Sequence, residues 1–386
     1  MIYLDHNATS PLRPEARGAS LRALEIGGNP SSVHAAGRAA RAVIEDAREA
    51  VAKFAGAAPG DVIFTSGGTE SNTLALRGVI AGAAEAEDRI TRVFVVATAH
   101  ESVRAVAASL AETVPGGKLT EIPVDAIGRI SPDELRLQLM SGKGRALVSL
   151  ISVNNETGAI ENIASLAKVI CAEAGEGALI HVDAVSSGYC PIRFAEWNVD
   201  YLSLSAHKIG GPQGVGALIA KDGAPFAPLF KGAQEKRRRA GTENVSGIAG
   251  FGAAVQALRA NRDDESRRIE SIRDRFEAML RPLDAIVFAK DTERAVNTSC
   301  FAIPDVSAET ALMALDLDGI CISSGAACSS GKVSPSHVLK AMGVSEELSR
   351  CALRVSLGWN SMPEDAEAAI ASLEKLMARV RARKAA

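Results

Sequence analysis

No apolar run in this chain approaches the roughly 20 residues that a membrane-spanning helix needs, and the start, Met1-Ile-Tyr-Leu-Asp-His6, carries neither a basic segment nor an apolar run behind it. A membrane protein and a secretory leader are therefore not expected; the expectation is a cytoplasmic protein without a membrane partner. Neither basic nor acidic residues are in large excess, the net charge being −3, so nucleic acid is not an expected partner. Six cysteines are scattered as Cys171, Cys190, Cys300, Cys321, Cys328 and Cys351, and none stands in a CxxC pair. That spacing argues against a zinc site or a disulfide framework. Five of them read as small buried hydrophobes. Cys328 differs, because it lies among serine, glycine and alanine.

The chain does have ample apolar residues, 47% of 386, which is enough for a large domain and a smaller one. Apolar runs and helical patterns alternate. Strands are expected at 61–65, 93–97, 119–122, 146–151, 179–182, 199–204 and 215–219, with helices near 35–54, 101–113, 132–141 and 162–174. This rhythm predicts an α/β fold, a mainly parallel sheet with helices on both faces. A long helix is expected from about Ser246 to Arg281, handing over to a smaller α+β body with strands near 286–288, 298–303 and 320–322, and a final amphipathic helix at 363–379. The expected division is a large domain over 15–255, with 1–14 and 256–386 forming the small one that carries Cys328.

Candidate chemistry collects where strands end, which is where ligands bind in open α/β sheets. The strand ending at Ser203-Leu-Ser-Ala-His-Lys208 delivers a hydroxyl, a histidine and a lysine to a glycine-rich turn. A second strand, Ala178-Leu-Ile-His-Val-Asp183, ends in an aspartate. A lysine able to form a Schiff base, with an aspartate for a pyridinium nitrogen, is the constellation that holds pyridoxal phosphate (PLP). The turn Ser66-Gly-Gly-Thr-Glu-Ser71, between a strand and a helix start, suits a phosphate. Thr69, His100, Asn155, Asp183 and Lys208 are each expected just past a strand. The polar arm Leu4-Asp-His-Asn-Ala-Thr-Ser10 reads as a surface segment or as one that closes over a site.

Longer motifs carry a family resemblance. Tyr3-Leu-Asp-His-Asn-Ala-Thr, Asn29-Pro-Ser-Ser-Val-His, Phe64-Thr-Ser-Gly-Gly-Thr-Glu-Ser-Asn and Val153-Asn-Asn-Glu-Thr-Gly come first. His181-Val-Asp-Ala, Ser205-Ala-His-Lys, Arg238-Arg-Ala-Gly-Thr-Glu-Asn, Ser323-Ser-Gly-Ala-Ala-Cys-Ser-Ser-Gly, Pro335-Ser-His-Val-Leu and Leu353-Arg-Val-Ser-Leu-Gly follow in order. Together they resemble the cysteine desulfurases of the NifS and IscS kind, within the fold-type I, class-V aminotransferase group of PLP enzymes.

The resemblance implies that Lys208 holds PLP covalently, Asp183 pairs with its pyridine nitrogen, and His100 stacks on the ring and moves protons. Gly68, Thr69, Ser205 and His207 would hold the phosphate, with Thr242 reaching across from the other subunit of a homodimer. Asn155 would contact cofactor and substrate, and Arg354 would bind the carboxylate of L-cysteine. Cys328 would take the substrate's sulfur as a persulfide, leaving alanine, and pass it to a sulfur-acceptor or iron–sulfur scaffold protein; it is also the one candidate transient iron–sulfur ligand. The family's glutamine that bonds the PLP phenolic oxygen is Ser186 here, and its usual glutamate before the histidine is Ala99. Ala233 and Arg237 stand where glycines are usual. Gln234-Glu235 and the 238–244 piece look more like the nitrogen-fixation branch. Alternatives are a selenocysteine lyase and an inactive PLP-binding scaffold. The basic run Lys236-Arg-Arg-Arg239 is read as charge at a subunit interface or the edge of the site.

Overall fold

The protein is described from a computed structural model that covers residues 1–113, 118–175, 177–324 and 335–385. Strand β1 (Ile2–Tyr3) is followed by helices α1 (Pro14–Ile26) and α2 (Ala35–Ala55). The α/β run then comprises β2 (Val62–Thr65), α3 (Gly68–Thr73), α4 (Val79–Glu85), β3 (Ile90–Val96), α5 (Glu101–Thr113), β4 (Lys118–Ile122), α6 (Pro132–Met140), β5 (Arg145–Ile151), α7 (Ile163–Glu173), β6 (Leu179–Asp183), α8 (Phe194–Trp197), β7 (Tyr201–Ser205) and β8 (Gly216–Ala220). These strands form one sheet in the order β2-β8-β7-β6-β5-β3-β4. Only β8 runs antiparallel to its neighbours. Strands β2, β6, β7 and β8 are buried along their whole length, as expected of a sheet covered on both faces, and that is why they read as unbroken apolar runs rather than alternating ones.

After the short turn α9 (Gln234–Arg237) the chain enters α10 (Val245–Leu280). This helix joins two cores. Ile248, Phe251, Ala254, Val255 and Leu258 pack with the large sheet, whereas Ile269, Ile272, Phe276 and Leu280 pack in a second cluster. No residue from 259 to 268 is buried. The expected boundary at residue 255 thus falls inside a continuous helix. Beyond it come β9 (Ile286–Val287), β10 (Thr298–Ala302), α11 (Ala308–Leu317), β11 (Ile320–Cys321), α12 (His337–Ala341), α13 (Glu346–Ser349), β12 (Ala352–Ser356) and α14 (Pro363–Ala385). Strands β12-β10-β9 make an antiparallel sheet, and β1 pairs in parallel with β11. Leu4 is fully buried in the second cluster, so the first residues pack with the last hundred.

Elements α1, α11 and β12 go beyond the expected set. Strand β12 escapes a reading by apolar runs because Arg354 stands in its middle, and α1 because it buries only Ala16 and Ala23. The cysteine expectation needs correction: of the five described, Cys300 alone is buried, Cys171 is exposed, and Cys190, Cys321 and Cys351 lie between. Being small enough for a core does not place a residue on the inward face of its element, and Cys171 falls on the outward side of α7.

Arg237, where glycine is usual, has φ +66°, in the left-handed region, and Glu235 and Lys236 share that region at +46° and +55°. Each such non-glycine residue costs about 1 kcal/mol or more. A buried anchor offsets it. Glu235 accepts both Arg48 Nη atoms (2.8 and 2.9 Å) and the Phe64 amide (2.9 Å). Replacing Glu235 by alanine is expected to destabilise the fold by about 3 kcal/mol, because buried Arg48 is left with the half-exposed Glu45 carboxylate and the Val62 carbonyl as its partners. Denaturant unfolding checks this; a loss under ~1 kcal/mol contradicts it.

Candidate active site

Strands β5, β6 and β7 run parallel and deliver their carboxyl ends to one cavity of about 240 Å³. Gly68, Thr69, His100, Asn155, Asp183, Ser186, Ser205, His207 and Lys208 all line it. Asp183 is the last residue of β6 itself rather than past the strand. Its carboxylate is fixed from two sides, by Asn72 Nδ2 on Oδ2 (2.9 Å) and the Val185 amide on Oδ1 (3.0 Å). A carboxylate held so firmly keeps its direction when a cation approaches.

Lys208 sits in the tight turn Ala206–Ile209 that follows β7. Burial, and after it the Arg354 guanidinium, push its amine down to about 8, against the pull of Asp183 and Asp5. The amine donates to the Asn7 carbonyl. Burial also lowers His207 to about 4, leaving a neutral ring whose Nδ1 lies 3.1 Å from Thr9 Oγ1. The polar arm therefore closes over the lysine turn, and the Ser10 amide adds a bond to the His207 carbonyl (2.8 Å).

The other wall begins at Gly67, with φ +153°, and Gly68, where a Cβ would meet Val185 Cγ2 at 2.8 Å. Gly67 requires glycine for its positive φ and Gly68 for the close approach. No side chain caps α3 at Gly67, which leaves its first amides available for an anion. Arg239 braces this wall by pairing with Glu70 (2.8 Å), which puts the end of the basic run at the edge of the site, while Lys236 and Arg237 are exposed. His100 lies just ahead of α5; its Nδ1 accepts from the Ser102 amide (3.1 Å), which leaves Nε2 free to carry the proton. Ala99 is buried, and its carbonyl lies 3.0 Å from His337 Nε2.

Two expected residues, among those described, are not in this lining. Arg354 stands behind it, donating to the Asn155 carbonyl at 3.0 Å. Thr242 is exposed and lines no part of the cavity. Cys328 lies outside the described residues. Sequence reasoning in turn assigned no role to Asn72, Ser102 or Asn7. Asn72 carried a usable signal, since it follows Gly68 by four residues and so shares that face of the helix. Asn7 carried none, because its partners Asn155, Thr298, Asn297 and Lys208 are far away in sequence.

Comparison with known proteins settles what kind of chain this is. The class-V aminotransferase family matches residues 2–368. The cysteine desulfurase IscS of Dictyoglomus turgidum is 40% identical, over 98% of this chain and 95% of that protein. This chain belongs to the class-V aminotransferases, on their cysteine desulfurase side. A cysteine desulfurase of Cereibacter sphaeroides is 43% identical over 94% and 92% of the two chains. Among solved structures, a NifS-like protein superposes with a TM-score of 0.90 at 30% identity, covering 98% of this chain and 99% of that one. SspA in complex with cysteine gives 0.78 at 27% identity, covering 92% and 99%.

Cysteine desulfurases use PLP, and the cavity suits that group. Ser205 Oγ and Asn72 Oδ1 are buried without a hydrogen-bond partner, an arrangement that costs free energy unless a polar ligand arrives. The glycine wall leaves room for a phosphate, and Asp183 is directed into the same space. Among the described residues no cluster of three or more histidine, cysteine or acidic side chains could hold a metal, and no described helix is long and apolar enough to cross a membrane. Only the neutral amine of Lys208 can condense with an aldehyde. The rate at which the apoprotein takes up PLP should therefore rise with pH to a midpoint near 8; stopped-flow absorbance checks it, and a midpoint near 10.5 would contradict it. The stability sign follows. The folded amine has the lower affinity for protons, so its burial cost is full below pH 8 and fades as pH rises toward the unfolded value.

Proposed function

We propose that this chain is a PLP-dependent cysteine desulfurase of the cytoplasm, a sulfurtransferase that converts L-cysteine to L-alanine and leaves the sulfur on Cys328 as a persulfide. One observation carries the reading: a lysine of lowered pKa and a braced aspartate share a cavity with unpartnered polar atoms, in a chain similar along nearly its whole length to proteins named for that reaction. PLP, when bound, supplies an electron sink that acidifies the substrate Cα–H and weakens the Cβ–S bond.

The chain's own residues do the rest. Lys208 Nζ would hold the cofactor and, when free, would move the Cα proton; an amine near pKa 8 suits a base at neutral pH. Asp183 would pair with the pyridine nitrogen. Gly68, Thr69, Ser205 and His207 would hold the phosphate, and Thr242 from a second copy of the chain would complete that cradle in a homodimer. His100 would stand beside the cofactor, with Nε2 available to carry a proton. Asn155 and Ser186 would help hold the cofactor, and Arg354 would take the substrate carboxylate. The Cys328 thiolate attacks the substrate sulfur, so that one C–S bond breaks and one S–S bond forms. The sum consumes L-cysteine and a thiol and yields L-alanine and a persulfide, which a sulfur-acceptor or iron–sulfur scaffold protein then collects, with Cys328 the transient cluster ligand. In this reading residues 15–255 bind the cofactor, and 1–14 with 256–386 form the small domain bearing Cys328. A neighbour solved with cysteine supports the choice of substrate.

The test is product balance. With L-cysteine, PLP and dithiothreitol, L-alanine and sulfide should appear in equal amounts; pyruvate with ammonia, or no product, would overturn the reading.

A further inference from the structure

Arg354, on β12, is held by two groups of this chain. Nη1 donates to the Asn155 carbonyl (3.0 Å) and Nη2 to Asp5 Oδ1 (2.7 Å). Nε is buried and has no partner. The arginine side chain is 5% exposed and that of Asp5 20%, so the carboxylate can turn toward solvent while the guanidinium stays in place. A buried guanidinium without a counter-ion is costly, and Asp5 supplies that counter-ion.

A ligand carboxylate binds arginine best through two parallel N–H groups. Nη1 is committed to a main-chain carbonyl, so the fork that remains is Nε with Nη2. A carboxylate arriving there must share Nη2 with Asp5 or displace it. We propose that Asp5 is a resident competitor for the substrate's α-carboxylate, pairing with Arg354 until a ligand carboxylate displaces it and setting how tightly carboxylate-bearing ligands bind. The proposal rests on the desulfurase reading, in which Arg354 is the carboxylate anchor. When only a fraction of the anchors are free, apparent affinity falls by that fraction. Asp5 is thus a specificity-determining residue: it taxes ligands that need the fork and is irrelevant to those that do not.

The experiment is a calorimetric titration of the PLP-loaded enzyme with L-alanine, the product, and with cysteamine, which keeps the amine and thiol of cysteine but lacks the carboxylate. Wild type, Asp5→Asn, Asp5→Ala and Arg354→Gln are compared. Asparagine still offers Nη2 an oxygen acceptor but no charge, and alanine removes both. Both Asp5 variants are expected to bind L-alanine about 3- to 10-fold more tightly, with cysteamine unchanged, while Arg354→Gln loses L-alanine binding. Equal or weaker L-alanine binding by both Asp5 variants overturns the proposal and leaves the anchor standing; so does an equal gain for cysteamine, which marks a general change in the cavity. Unchanged binding by Arg354→Gln overturns the anchor and the proposal together. Failure of the wild type to release alanine from L-cysteine sinks the desulfurase reading, and the titration still decides the role of Asp5.

Discussion

Replacing Lys208 by alanine is expected to abolish alanine release from L-cysteine, by about three orders of magnitude or more, and to leave PLP bound only reversibly. Two losses combine in one substitution. The first is the covalent tether. The second is the proton carrier, and general acid–base catalysis alone contributes about 10²–10⁴-fold. The position is not replaceable by a neighbour: His207, the adjacent titratable group in the cavity lining, is held neutral near a pKa of about 4, so it does not substitute for an amine near 8. Since, among the described residues, Lys208 donates only to the Asn7 carbonyl, the variant should fold. Dialysis should strip PLP from it while the wild type retains the cofactor, and a variant that keeps turnover within tenfold would remove Lys208 from the chemistry.

The second large effect concerns Cys328. Two of the other described cysteines are poorly suited to supply a thiolate nucleophile. Cys300 is buried in β10 and burial drives its thiol far up, while Cys190 is pushed up to about 12. Thiolate, not thiol, attacks sulfur, so neither takes over at neutral pH. Alanine at position 328 should leave cofactor binding intact, because Lys208, Asp183 and the other described residues that line the cavity are unchanged, and should stop sulfur transfer.

Much of this was legible before any coordinates. Lys208, Asp183, Thr69 and His100 could be found because a parallel sheet buried on both faces writes its strands as apolar runs, and its ligand groups follow where those runs stop. What escaped lies in segments without periodicity. The arm from Asp5 to Arg13 is a string of short polar residues, yet Asn7 bridges the lysine turn to β10 and Asp5 pairs with an arginine 349 positions away. Arg13 forms a buried bidentate pair with Glu265 and donates to the Ile209 carbonyl beside Lys208. No local pattern encodes such contacts. Backbone strain was hidden likewise: Arg237 stood out as an absent glycine, but only its dihedral, with the Glu235–Arg48 anchor beside it, explains how the chain tolerates the change. The long helix α10 blurred the domain division, since its apolar stripe serves two cores in turn.

The measurement that tests the central claim most directly is alanine release from L-cysteine with a reductant present, comparing wild type with Cys328→Ala after both show the same PLP absorbance. The account predicts steady alanine release from the wild type, and a variant that keeps its cofactor spectrum but stalls. Equal release by both proteins, or by neither, would contradict sulfur transfer through Cys328.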